Sequence, residues 1–324
     1  MNMTGKRRVA ARRRQIQRAL MIACAMLVIY GGLRMLLFCG NALKTRMTND
    51  SLGRDYEQQS LPLDDVEKVE AAKTNAPPAF AATYEADSDL LRDDIQTQSE
   101  QRILDTYQLI GQDIQMRLRK LYARNTDLVG WLDIDGVLGL PVVYRNNSYY
   151  LDHDFNGKKN RAGTLFLDET HPFKAETQHL VIHGHDMVDG SMFGLLIHYR
   201  NLRYIHKHGI ISFNTLFRNE RYIVFAVLST PEDMESKQYF PYTGIATFYT
   251  VDAFNDYIHR AKARSLYNIP VIVEPGDALL TLSTCLNDNR VLVMFRRVRL
   301  GEDEEQLQSM LNKSQYQTWR VSTE

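Results

Sequence analysis

Cys285 ends the apolar run LLTLSTC (279–285), and Arg290 opens the next one, RVLVMFRRV (290–298). If residues 286–289 form a four-residue hairpin loop, the two face each other across antiparallel strands, with Cβ atoms about 4.5–5.5 Å apart. A permanent cation beside a thiol favours the nucleophilic thiolate. It can also hold the oxyanion formed when sulfur attacks a carbonyl. An ordinary cross-strand arginine beside a buried cysteine fits the same geometry. Arg296 shares the face but lies about 20 Å further along the strand, and Arg297 has the wrong parity.

A thiol nucleophile also needs an acid or base within reach. Of the nine histidines, His153, His171, His198, His206, His208 and His259 fall in polar loops or helices. His183 and His185 differ, because they flank a glycine where the apolar run HLVIHG (179–184) ends. An imidazole at such a strand end can protonate a leaving amine and later deprotonate an incoming one. The pattern His-x-His beside Asp186 also suggests part of a metal site, since residues two apart on a strand share a face. Met-Val-Asp-Gly follows, however, without the further histidine of the common H-x-H-x-D-H hydrolase pattern.

The elements that must position these groups are short and β-rich. Eight strand candidates, at 128–134, 140–144, 163–168, 179–184, 209–213, 221–229, 279–285 and 290–298, predict a mainly β fold with flanking helices, closed as an eight-stranded barrel. Helices are expected at Met192–Tyr199 and Thr250–Arg264, the latter with Phe254, Tyr257, Ile258 and Ala261 on one face. A further amphipathic helix is expected from Ser99 to Arg124. The stretch 301–324 reads as a polar tail.

Charge and the distribution of apolar residues predict that this barrel lies outside the cytoplasm. The chain has 324 residues, with 39 basic and 39 acidic groups. Residues 1–46 hold ten Lys and Arg and no acid, leaving 29 basic and 39 acidic groups beyond. A basic arm could serve nucleic acid, but the run ALMIACAMLVIYGGLRMLLFC (19–39) is long enough to cross a bilayer as a helix. It is also long for a signal peptide and lacks a clear A-x-A cleavage site. Seven cations precede it, so the expectation is a cytoplasmic segment 1–18, an anchor 19–39 and an exported remainder. Arg34 sits near one end of the run, where its side chain can reach the interface. An acidic stretch with Pro77-Pro78, 40–98, reads as a flexible stalk before a catalytic region 99–300. Cys24 and Cys39 lie in the anchor, so Cys285 is the one exported thiol, with no partner for an internal disulfide.

Together these residues resemble the sortase family of cysteine transpeptidases. The resemblance rests on I-H-G-H-D-M-V-D-G-S-M-F-G (182–194), T-L-S-T-C (281–285) and the arginine that opens the next strand. V-G-W-L-D-I-D-G…L-P-V-V (129–143) and Y-Y-L-D-H-D-F-N-G-K-K-N-R-A-G-T-L-F-L-D (149–168) are similar to the class B branch. The match covers about 125–300. It implies a closed barrel in which Cys285 is the nucleophile, His185 rather than His183 the proton donor, and Arg290 the oxyanion group. Ser283, Thr284 and Asp154 are implied at the substrate groove, although Asp154 stands where class B relatives commonly carry Asn. The loop from cysteine to arginine is also shorter than is usual in that class. The implied partners are exported proteins with a C-terminal sorting signal and an amine of a peptidoglycan precursor, with no metal or organic cofactor and no nucleic acid. An exported cysteine peptidase that uses water, and a non-catalytic peptide-binding barrel, are the other readings that the residues allow.

Overall fold

The computed structural model describes residues 3–58, 114–174, 176–286 and 288–317. The chain forms two compact units, 1–48 and 49–324. The first is carried by a helix, α1 (Met3–Glu57), which continues into the second. Leu27, Val28, Ile29, Met35 and Leu36 of α1 are exposed, as expected of side chains meant for lipid. Among the described residues, this is one helix long and apolar enough to cross a membrane. Within it Arg34 donates to the Tyr30 hydroxyl one turn earlier, at 2.9 Å.

In the second unit β1 (Leu128–Ile134), β2 (Leu138–Tyr144), β3 (Leu165–Leu167), β4 (His179–His183), β5 (Ile210–Thr215) and β6 (Asn219–Pro231) precede β7 (Tyr267–Asn268), β8 (Leu279–Leu286) and β9 (Asn289–Arg297). Eight of them close a barrel in the order β1-β2-β3-β4-β8-β9-β6-β5. β2–β3 and β4–β8 are parallel and the rest antiparallel. β1, β2, β3 and β4 read as almost unbroken apolar runs and are buried nearly throughout, whereas β5 alternates between buried and half-buried residues. α2 (Met116–Arg124) packs Leu118 and Leu121 against Leu128, Trp131 and Val143. α3 (Leu202–His208) follows a 3-10 segment, Gly194–Arg200. α4 (Val251–Arg264) is capped by Thr250, whose hydroxyl accepts from the Ala253 N–H, and buries the Phe254, Tyr257, Ile258 and Ala261 stripe.

Two expectations need correction. The stalk was expected from residue 40, yet α1 runs to Glu57 and its last turns belong to the barrel unit. Leu52 is buried there, and Tyr56 stacks on Trp131 with ring centroids 4.4 Å apart. Asp55 bridges Lys120 and Arg124 of α2 at 2.5 and 3.3 Å. Composition misled because Asp55 of this turn meets a basic helix that is distant in sequence. Residues 59–98 of the expected stalk, and 99–113 of the expected Ser99–Arg124 helix, lie outside the described residues. The expected polar tail is likewise integrated up to Gln317. α5 (Glu304–Asn312) buries Leu307 and Leu311, and β10 (Gln315–Tyr316) pairs with β7. Just before α5, Arg296, fully buried, makes a two-pronged bond to Glu302 at 2.6 and 2.7 Å. Residues 318–324 are outside the described part.

Candidate active site

Cys285 and Arg290 are partners in the β8–β9 ladder. The ladder goes one pair further, to Leu286 and Asn289, so the turn holds two residues rather than the expected four. The cross-strand relation is unaffected, since adding one pair outward leaves the pairs below it in register. Cys285 is half-buried at the barrel end. Burial opposes the Arg290 charge, but Tyr242, the Cys285 sulfur and the Glu232 carboxylate outweigh it and raise its pKa. The Glu232 carboxylate accepts from Arg290 Nη2 at 2.5 Å. Tyr242 is buried and pushed up to about 12, chiefly by desolvation, so its phenol stays protonated.

The histidine loop is tied to the cysteine strand by its backbone. β4 ends at His183, and Gly184 extends the parallel pairing by donating its N–H to the Ser283 carbonyl at 3.2 Å. The Thr284 hydroxyl donates back to the Gly184 carbonyl at 2.9 Å. The residue before His185 is thereby fastened to the two residues before Cys285. A side chain at 184 would have to push its neighbours aside, since a Cβ would lie 2.5 Å from Leu165 and 2.7 Å from Phe193. The loop closes when Phe193 N–H donates to the His185 carbonyl at 2.9 Å.

The two imidazoles have different surroundings. His185 Nε2 lies 2.6 Å from the Leu151 carbonyl. A carbonyl only accepts, so Nε2 carries the hydrogen and Nδ1 is left as the free position. His183 is buried and its Nε2 contacts Asp168 Oδ2 at 2.8 Å. Burial works against the Asp168 carboxylate, but hydrogen bonds from His183 and Thr170 hold it well below the usual range. His183 thus braces β4 against the loop after β3. The two rings serve separate partners. Among the described residues, no group of three or more His, Cys, Asp and Glu is placed to hold a metal.

The three groove residues implied by resemblance are otherwise engaged. Asp154 is buried, and its Oδ1 accepts from the N–H groups of Asn156 and Lys158 at 3.0 and 2.9 Å. One oxygen of its carboxylate organises this turn. Ser283 shares the Cys285 face, as expected, but is fully buried and donates to the Tyr242 hydroxyl at 3.3 Å. Thr284 is buried on the opposite face against Gly184. Sequence reasoning missed Glu232, Tyr242 and the Leu151 carbonyl. Tyr242 and Glu232 lie 43 and 53 residues before Cys285 in a turn-rich segment, and a backbone carbonyl has no sequence signature. The β6–β9 register, which pairs Thr230 with Arg290, is the signal that finds Glu232.

No protein-family profile matches the chain. Sortase B of Listeria monocytogenes is 34% identical over 178 residues, covering 54% of this chain and 70% of that protein. Sortase B of Staphylococcus aureus is 29% identical over 163 residues, covering 50% of this chain and 64% of the relative. Among solved structures, sortase B of Bacillus anthracis in complex with AAEK1 aligns with a TM-score of 0.52 and 28% identity, over 58% of this chain and 87% of that one. With a closed eight-stranded barrel of the same kind and a relative matched over more than two thirds of its length, the chain belongs to the sortase B family of cysteine transpeptidases.

Proposed function

We propose that this chain cleaves a C-terminal sorting signal of exported proteins and transfers them to an amine of a peptidoglycan precursor. Cys285 passes its thiol proton to His185 Nδ1 and attacks the scissile carbonyl, forming a C–S bond as the carbonyl electrons move to oxygen. Arg290 holds that oxyanion. The intermediate collapses, His185 gives a proton to the departing amine, and a thioester remains on Cys285. The acceptor amine attacks the thioester and loses a proton to His185, the C–S bond breaks, and the departing sulfur takes that proton back as the thiol. In this reading α1 anchors the enzyme with residues 1–18 in the cytoplasm and the barrel outside, where exported substrates and wall precursors meet.

The observation that supports this reading best is the convergence at one barrel end. Cys285 opposes Arg290 in the ladder, and the same strand is bonded to the residue preceding His185. An always-charged fork beside a thiol suits both thiolate and oxyanion. The test is to trap the acyl-enzyme with candidate sorting peptides and read its mass, with and without added glycine peptides. An adduct on Cys285 that moves to the amine is expected. Cys285→Ala and His185→Ala should abolish transfer, and Arg290→Lys should lose about a hundredfold or more, because an ammonium lacks the planar fork. An adduct that forms in Cys285→Ala, or release to water alone with amine in excess, would sink the proposal.

A further inference from the structure

The β8–β9 ladder sets the backbone of Arg290 opposite Cys285 but does not fix the orientation of its guanidinium. Orientation comes from β6, on the far side of β9. That strand stays paired to its last residue, with Thr230 opposite Arg290 and Pro231 opposite Asn289. Glu232 follows directly, its N–H donating to the Asp288 carbonyl at 3.1 Å. From this fixed backbone its carboxylate takes one prong of the guanidinium. Asp233, next along, accepts from the Glu235 N–H at 3.0 Å. Tyr242 is bonded to Ser283 on the cysteine strand. An unrestrained arginine explores many rotamers. One ionic hydrogen bond removes most of that freedom while leaving further N–H donors unused.

We propose that Glu232 is a positioning residue for acyl transfer, holding the Arg290 guanidinium so that its free donors meet the oxyanion formed at Cys285. The proposal rests on the oxyanion role assigned to Arg290 above. Glu232 exchanges no proton and forms no bond to substrate. Its effect is to keep the donors in place before charge develops, so that no reorganisation is needed at the moment of attack.

The full-length chain in detergent with p-nitrophenyl acetate as acyl donor provides the test. Acetyl transfer to Cys285 releases p-nitrophenolate and leaves an acetyl adduct readable by mass, with Cys285→Ala as the background. Glu232→Gln is expected to slow acylation by about tenfold or more, short of the 10²–10³ that loss of an oxyanion donor costs. Alkylation of Cys285 by iodoacetamide, which needs a thiolate but no oxyanion site, should not fall. Glu232→Asp should recover part of the rate. In an Arg290→Lys background, Glu232→Gln should cost less than about twofold more, since residues that act through each other are not additive. Glu232→Gln within twofold of wild type, or an equal loss in both backgrounds, overturns the proposal. If Arg290→Lys alone acylates at the wild-type rate, the oxyanion role itself fails, and that single variant identifies which idea was wrong.

Discussion

Asp168 and the buried histidines govern how the site survives acid. Burial disfavours imidazolium at His171 and His179, taking His179 down to about 3. Between about pH 6.5, the unperturbed histidine value, and that limit, the unfolded chain binds more protons than the folded one. Stability therefore falls as pH falls, by up to about 1.4 kcal/mol per pH unit for each proton. Asp168 acts lower down. Its depressed pKa means its contribution is whole above about pH 4 and is lost beneath it. Urea midpoints measured from pH 8 to pH 4 should decline below about 6.5, and a flat profile would contradict this assignment. Asp168→Asn should cost about 1–3 kcal/mol at neutral pH by weakening the buried bond to His183. The sequence marked His183 and His185 as a pair, and the flanking motif favoured the second. What separates them physically, a buried carboxylate for one and a carbonyl at the barrel end for the other, depends on β3 and the 145–151 loop folding back.

At the scale of elements, the site is made by two neighbouring junctions, β4 into its loop and β8 into β9. The second was legible, because a period of two and a short loop leave little choice of partner for Cys285. The first was not, since β4 and β8 are parallel and nearly a hundred residues apart. Gly184 is the hinge of that junction. Gly184→Ala should force Leu165 or Phe193 aside, costing about 1–3 kcal/mol and displacing His185. Its thermal midpoint and acyl-transfer rate should both fall, while iodoacetamide should still alkylate Cys285. Unchanged transfer in Gly184→Ala would mean that the loop adapts and the tie to β8 does not position His185. Asp154 shows what a motif leaves out: its Oδ1 also organises the turn at 154–158, a local role that the resemblance did not suggest.

For the whole molecule, the catalytic unit begins earlier and ends later than composition suggests. Leu52 and Tyr56 at the end of α1 complete the cluster around Trp131. Leu52→Ala should destabilise the barrel unit by about 2–4 kcal/mol, read from urea unfolding of a chain starting at residue 49. An unchanged midpoint would show that this turn merely rests on the surface. The sequence by itself determined what is local or periodic: the apolar span after a basic segment, eight strands by their runs and turns, the one cysteine beyond that span, and its arginine across a hairpin. These follow from spacing along a short stretch of chain, which the backbone geometry converts directly into direction. Only the tertiary structure decided which distant groups meet. It alone brought Glu232 to Arg290, Gly184 to the cysteine strand, Asp168 to His183, and the acidic turn of α1 to a basic helix. Those encounters arise from closing the barrel, because closure fixes which strand ends share a rim, and no window of sequence contains that information.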